Sequence, residues 1–472
     1  MVFSSMTFIW IFLPVLLIVN FAAKEKYRNF ILLIFSLLFY SWGEPKYIVV
    51  MLLSIIINYF FGLVIGKLKK SKTRKIVFIF NIFINIGFLG FFKYYSFISH
   101  TINSLFNLYL LPYLEIDLPI GISFYTFQVM SYIIDLYRGN IKVQKNILKL
   151  ALYISFFPQL IAGPIVRYLD INKQIDSRVI SKEKFAQGIK RFIYGLSKKV
   201  IVANTLAQVA DLTFNAKVNE LSFSLAWLGA FGYMLQIYYD FSGYSDMAIG
   251  LGKMFGFEFL ENFNYPYISQ SMTEFWRRWH ISLSTWFKEY LYIRLGGNRK
   301  GKIRTYINLG IVFLCTGLWH GAAWNFVIWG IYHGFFLIIE RIKLKELLDK
   351  NKLKCFNYIY MLLVTLFGWI LFRADSILHA LSYIKQMFCG KSNSVLVNLN
   401  GINVINSKTT FMIIIGILFS GIVQSLLKRI KNNTKIKNLM YALEPCVLAI
   451  LFSICIMELV ANTYNPFIYF RF

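Results

Sequence analysis

Apolar runs long enough to cross a bilayer follow one another along almost the whole chain, and short clusters of Lys and Arg separate them. A hydrocarbon core about 30 Å thick takes roughly 20 apolar residues per helical pass. Runs at 7–23, 29–42, 46–66, 76–97, 117–136, 147–165, 186–210, 222–240, 243–260, 305–340 (two passes), 356–372, 411–427 and 440–460 meet or approach that length. Backbone groups in hydrocarbon must pair within their own segment, and no alternating pattern of ten-residue strands occurs, so the spans are expected to be helices. The fold class expected is an all-α polytopic membrane protein with about 11–13 transmembrane or re-entrant helices. A composition of 57% hydrophobic and 15% charged residues, with a mean hydropathy of +0.57, excludes a water-soluble enzyme.

The basic clusters orient these spans, because short cytoplasmic loops are enriched in Lys and Arg. Lys24, Lys26 and Arg28, then the run 67–75, mark two cytoplasmic loops and put the N-terminus outside. No Lys or Arg lies between Tyr94 and Tyr137, as expected of an external loop around 100–117 flanked by two spans. Basic residues at 341–354 and 428–437 bracket a loop, 374–410, expected to be external, as is the closing PFIYFRF. The net charge of +28 thus has a topological reading, and since it lines no single amphipathic face no nucleic-acid partner is expected. Membrane lipid is the expected surrounding. Some clusters could also hold an anionic donor or lipid headgroups.

Five cysteines (315, 355, 389, 446, 455) form no CxxC pair or Cys/His cluster, so neither a disulfide scaffold nor a metal site is expected. The first apolar run lacks a basic n-region and reads as a span, not a cleaved signal. No linker or internal repeat divides the chain, which reads as one membrane domain over 1–472.

Between about 236 and 345 the pattern changes. Polar and ionisable side chains at membrane depth are costly and mark sites by default. His320 lies in GLWHG within the stretch 305–339, roughly 24 Å from its basic edge if a helix starts near Arg304. Gly317 and Gly321 would let a backbone or substrate approach closely, and Trp319, Trp324 and Asn325 offer stacking surface and an amide. Trp276 and His280, four apart in TEFWRRWHISLSTW, would share a face of an interfacial or re-entrant helix that also carries Arg277. His333 reads as packing; His100 and His379 fall in external loops. Asp240 and Tyr244 share a face in YYDFSGYSD. Asp240 and Asp246 could orient a histidine, line an aqueous cavity or, most plainly, pair with Arg277 or Arg278.

No Walker loop, GxGxxG, GxSxG elbow or HExxH occurs. What remains is a buried imidazole, whose ordinary pKa suits it to take a proton from a hydroxyl. Acyl transfer from a thioester to an alcohol needs such a base and no metal, and the thioester supplies the activation.

The run NYPYISQSMTEFWRRWHISLSTWFKEYLYIRLGGNRKGK followed by GLWHGAAWNFVIWGIYHG resembles the membrane-bound O-acyltransferase superfamily, and within it the bacterial alginate O-acetyltransferase branch. PIGISFYTFQVMSYIIDLYRG, FFPQLIAGPIVRY, YYDFSGYSDMAIGLGKMFGF, FRAD and PFIYFRF extend the likeness over nearly the full length. The resemblance implies a helical bundle around a central funnel in the bacterial cytoplasmic membrane, with His320 as the catalytic residue and His280 as the second characteristic histidine. It implies no bound cofactor and a cytoplasmic thioester donor, acetyl-CoA or an acyl-carrier thioester. The acetyl group would pass to an SGNH or esterase-like extracytoplasmic partner that O-acetylates a polysaccharide: alginate-like, cellulose or another exopolymer. An acetyl-histidine on His320 stays open, as do two alternatives: D-alanyl transfer to teichoic acid by the same fold, and a glycan or lipid transporter without bond chemistry.

Overall fold

The computed structural model describes residues 1–69, 71–350, 353–390, 398–399, 402–404, 406–430, 434–461 and 464–468. The regular structure of the described residues is helical apart from a two-residue antiparallel pairing of Asn398–Leu399 with Ile402–Asn403. They fall into two compact units, Met1–Arg191 with Met247–Leu260, and Phe192–Asp246 with Glu261–Phe472.

The first unit contains α1 (Leu13–Ala22), α2 (Glu25–Gly43), α3 (Ile48–Lys67), α4 (Lys72–Leu89), α5 (Tyr95–Phe106), α6 (Ile122–Arg138), α7 (Ile147–Ser155), α8 (Phe157–Leu160) and α9 (Tyr168–Asp176). Its sidedness is that of a protein in lipid. On α4, Ile76, Ile79, Phe80, Phe83 and Ile86 form an exposed apolar stripe at helical spacing, while Asn81 and Asn85 are buried. Both asparagines bond the Asn58 Oδ1 of α3, at 2.9 Å each. Polar groups so placed pin one helix to the next where apolar contact alone would not discriminate.

α10 (Lys182–Ser197) leads through a π-helical turn, Lys198–Ala203, into α11 (Asn204–Phe214) and then α12 (Phe223–Met254). The second unit continues with α13 (Met272–Arg278), α14 (Ile281–Phe287), α15 (Lys302–His320), α16 (Trp324–Ile339), α17 (Lys345–Lys350), α18 (Lys354–Arg373), α19 (Ile377–Cys389), α20 (Ser407–Ile417), α21 (Val423–Ile430) and α22 (Thr434–Ala461).

Among the described residues, five helical stretches are long and apolar enough to cross a membrane: Ile48–Lys67, Lys72–Phe106, Lys354–Arg373, Ser407–Leu427 and Ile436–Ala461. With the family reported below, they make this a multi-pass membrane protein. Several other expected spans differ in detail. The runs 222–240 and 243–260 are one 32-residue helix, α12. Gly243 does not break it, because its bare Cα lets α10 pack close, and a Cβ there would lie 2.7 Å from the Gly195 carbonyl oxygen. The run 147–165 is broken after Ser155, where Phe156 leaves the helical region one residue before α8 begins its own first turn with Pro158. The expected external loop near 100–117 is helical as far as Phe106, and 374–410 contains the amphipathic α19.

The 305–340 stretch forms the expected hairpin, with α15 and α16 joined by a three-residue turn. It closes on glycine: a Cβ at Gly317 would overlap the Phe326 carbonyl oxygen, and one at Gly330 the Phe313 carbonyl oxygen. We expect Gly317→Val to cost at least about 2 kcal/mol, since neither obstacle is a flexible side-chain end. A thermal denaturation midpoint in detergent equal to the parent's would refute this.

Candidate active site

All the candidate residues lie in the second unit, Asp240 and Tyr244 in the body of α12 and the others at or beside the ends of its helices. α15, about 27 Å long at 1.5 Å per residue, starts beside Lys302 and Arg304 and ends on His320. α16 returns from the turn to the basic stretch beginning at Arg341, and α18 starts at Lys354 and ends at Arg373. Two hydrogen bonds fix these helices together at opposite ends. Asn325 Nδ2 donates to the Ala374 carbonyl at 2.8 Å, and Tyr360 Oη donates to the Glu340 carboxylate at 3.1 Å. His320 therefore sits at the hairpin turn, away from the basic residues that open α15 and follow α16 and at the same end as the buried Arg373.

Its imidazole is enclosed by rings. Trp319, Trp329 and Phe372 stand edge to face with it at centroid distances of 5.0, 5.1 and 5.1 Å, and the residue is 7% exposed. Gly317 and Gly321 serve the hairpin itself, facing Phe326, so the close approach they permit is that of a neighbouring backbone and ring. Asn325 spends its amide donor on Ala374, and Trp324 is half exposed and stands outside the enclosure.

His280 reaches the same cluster from another direction. Trp276 and His280 do not share a helix face: α13 ends at Arg278, Trp279 is extended, and His280 has a left-handed backbone (φ +45°) ahead of α14. The break turns the imidazole toward Phe241 (4.6 Å) and Trp319 (5.9 Å), while Trp276 packs on His333 (5.1 Å) and Trp329 (5.7 Å). Trp319 thus touches both His280 and His320, and Trp329 touches both His320 and His333.

The tautomer of His280 follows from its partner. Asn262 Oδ1 accepts the Ser282 backbone N–H at 3.2 Å, which fixes that atom as the oxygen, and His280 Nδ1 lies 3.1 Å from it. An amide oxygen only accepts, so Nδ1 carries the proton and Nε2 presents its lone pair. The Ser282 hydroxyl donates to the same oxygen at 2.8 Å, and Asn262 Nδ2 donates to Ser245 Oγ at 3.0 Å, which holds the amide in place.

Asp240 and Asp246 pair with neither Arg277 nor Arg278. Asp240 is buried against Lys199 at 2.7 Å and accepts the Ile468 backbone N–H at 2.8 Å; Asp246 pairs with Lys198 at 2.6 Å. Lys198 and Lys199 open the π turn between α10 and α11, where they meet α12, whereas Arg278 bonds Glu274 on its own helix at 2.8 Å and Arg277 is exposed. Lys199 also donates to the Pro466 carbonyl, and the ring of Tyr244 lies 4.7 Å from that of Phe467, so residues 466–468 are seated on this pair. The side chains missed from the sequence are Asn262, Lys199, Trp329 and Phe372. For Lys199 a signal existed: a lysine in the middle of the run 186–210 must find a buried acceptor.

The family model for membrane-bound O-acyltransferases (MBOAT) matches residues 140–383, more than half of the chain and all of the residues just described around His280 and His320. A Pseudomonas putida protein named "Probable alginate O-acetylase AlgI" is 39% identical over the full length of both chains. A Helicobacter pylori peptidoglycan O-acetyltransferase is 34% identical over 97% of this chain and 89% of its own. A Bacillus subtilis teichoic acid D-alanyltransferase is 33% identical over 45% of this chain and 56% of its own. Membership in a family of acyltransferases sets aside the transporter reading. The chain belongs to the membrane-bound O-acyltransferase family and is an acyltransferase.

Proposed function

We propose that the protein takes an acetyl group from a cytoplasmic thioester, acetyl-CoA or an acyl-carrier thioester, and delivers it across the bacterial cytoplasmic membrane for O-acetylation of a surface polysaccharide. The region 1–472 acts as one membrane-bound O-acyltransferase domain, with its chemistry in about 236–345. The observation that carries this reading is the placement of His320, a buried imidazole at the end of α15 far from the basic end where an anionic thioester would dock. Relatives named as O-acetyl-transferring enzymes match nearly all of this chain, and the named D-alanyltransferases half of it or less, which favours acetyl over D-alanyl.

In the proposed step, His320 removes the proton of the acceptor hydroxyl as its oxygen attacks the thioester carbonyl carbon. The new C–O bond forms, the C–S bond breaks, and the thiolate leaves with the proton returned from the imidazolium. His280, through its Nε2 lone pair, and exposed Arg277 hold donor or acceptor; Trp276 and Trp319 wall the site. The acceptor is the polysaccharide or an SGNH or esterase-like extracytoplasmic partner that finishes the transfer.

The test uses membrane vesicles open to the cytoplasmic face and acetyl-labelled CoA. Membranes containing the protein are expected to release free CoA and carry label into an acceptor fraction, and His280→Ala membranes to do so at least about ten-fold more slowly. No thiol release above protein-free membranes, with the protein folded, would refute the proposal.

A further inference from the structure

α13 is a seven-residue helix held where two side chains of the site depend on it. Trp276, on its last turn, packs on His333 and Trp329, and His280 follows two residues after its end. So short a helix has almost no stability of its own. Its first N–H groups have no partner within the helix and must be satisfied from outside.

The N-cap Ser271 takes one of them, accepting Glu274 N at 3.1 Å. Two more are taken by a residue far away in sequence. One oxygen of the Glu340 carboxylate accepts Met272 N at 2.5 Å, and the other accepts Thr273 N at 2.8 Å and the Thr273 hydroxyl at 2.6 Å. Tyr360 of α18 adds a fourth bond at 3.1 Å. Glu340 is 1% exposed and stands at the junction of α16 with the basic stretch that follows it.

A carboxylate this buried is costly unless its oxygens are fully hydrogen-bonded, and here they receive four donors. The helix dipole adds to the fit, because negative charge is favoured at an N-terminus. No apolar side chain could satisfy the two N–H groups, and glutamine would turn an amide N–H₂ toward backbone donors on one side.

We propose that Glu340 is a positioning residue for acyl transfer: its ionised carboxylate clamps the first turn of α13 and so sets Trp276 and His280 against the rings around His320. Glu340 touches none of the reacting groups; it acts through α13. This rests on the acyl-transfer reading above, but one of its tests does not. The bond geometry also ranks the partners, since removing Tyr360 Oη takes one acceptor bond and leaves the clamp on α13 intact.

The experiment compares wild type, Glu340→Gln and Tyr360→Phe, purified in detergent at equal folded fraction. Hydrogen exchange of the peptide covering 271–280 should quicken by ten-fold or more in Glu340→Gln, with little change in α18, and by less than about three-fold in Tyr360→Phe. In the thioester assay, Glu340→Gln should lower kcat ten-fold or more, because Trp276 and His280 lose their setting against the rings around His320. Unchanged exchange in α13, or a loss of turnover that only follows a loss of folded protein, would overturn the proposal. If wild type shows no thioester turnover, the acyl-transfer reading fails, while the exchange result still decides whether the clamp exists.

Discussion

His320→Ala should abolish acyl transfer while leaving a folded protein, with a rate reduction of about 10² to 10⁴, the range that positioned general bases contribute. The geometry makes the effect specific. The imidazole is held by Trp319, Trp329 and Phe372, each edge to face, so its plane is fixed by three rings anchored on α15, α16 and α18. α15 carries no other histidine, and His333 packs on Trp329 at 4.9 Å. The truncation leaves a cavity among aromatic rings, so His320→Gln, closer in volume, is the companion variant: it should be equally inactive but elute and melt like the parent. The check is acetyl content of the surface polymer in cells carrying only the variant, alongside free-thiol release in membranes. Ordinary polymer acetylation by a folded His320→Ala protein would sink the assignment.

The sequence shows His320 more clearly than it shows its surroundings, and the reason is physical. An ionisable residue in an apolar run stands out because burial is costly, and its depth follows from a constant helical rise. What cannot be read that way is where a chain stops being a helix. TEFWRRWHISLSTW has helical spacing throughout, yet Trp279 is extended and His280 left-handed, because Ile281 N bonds the Asn262 carbonyl and Asn262 Oδ1 bonds Ser282 N. That tertiary anchor lies 18 residues from His280. Partner choice is equally non-local. Arg277 and Arg278 are the cations expected to meet Asp240, but the one it meets is Lys199, brought by the π turn between α10 and α11. The apolar runs predict helices well because composition decides them. They misjudge α12, where Gly243 marks close packing against α10 and not a turn.

Lys199→Met should destabilise the protein by about 3–5 kcal/mol, the cost of leaving a buried carboxylate without its cation. Both side chains of the Lys199–Asp240 pair are nearly inaccessible, 3% and 2% exposed, at 2.7 Å. Asp240→Asn should be damaging for the mirror reason, since it leaves an ammonium whose remaining described acceptor is the Pro466 carbonyl. The double variant Lys199→Met/Asp240→Asn removes both charges and should be more stable than the sum of the single losses by 0.5–3 kcal/mol, the coupling expected of contacting residues. The asparagine oxygen can still accept the Ile468 N–H that Asp240 accepts at 2.8 Å, so the seat of residues 466–468 is only partly lost. Denaturation midpoints in one detergent, measured for the four proteins of the cycle, give the coupling directly. Strict additivity would mean that the pair contributes nothing beyond two separate side chains. Positive coupling would identify it as the charge pair that lets a lysine persist inside an apolar run, where without a partner it would be excluded.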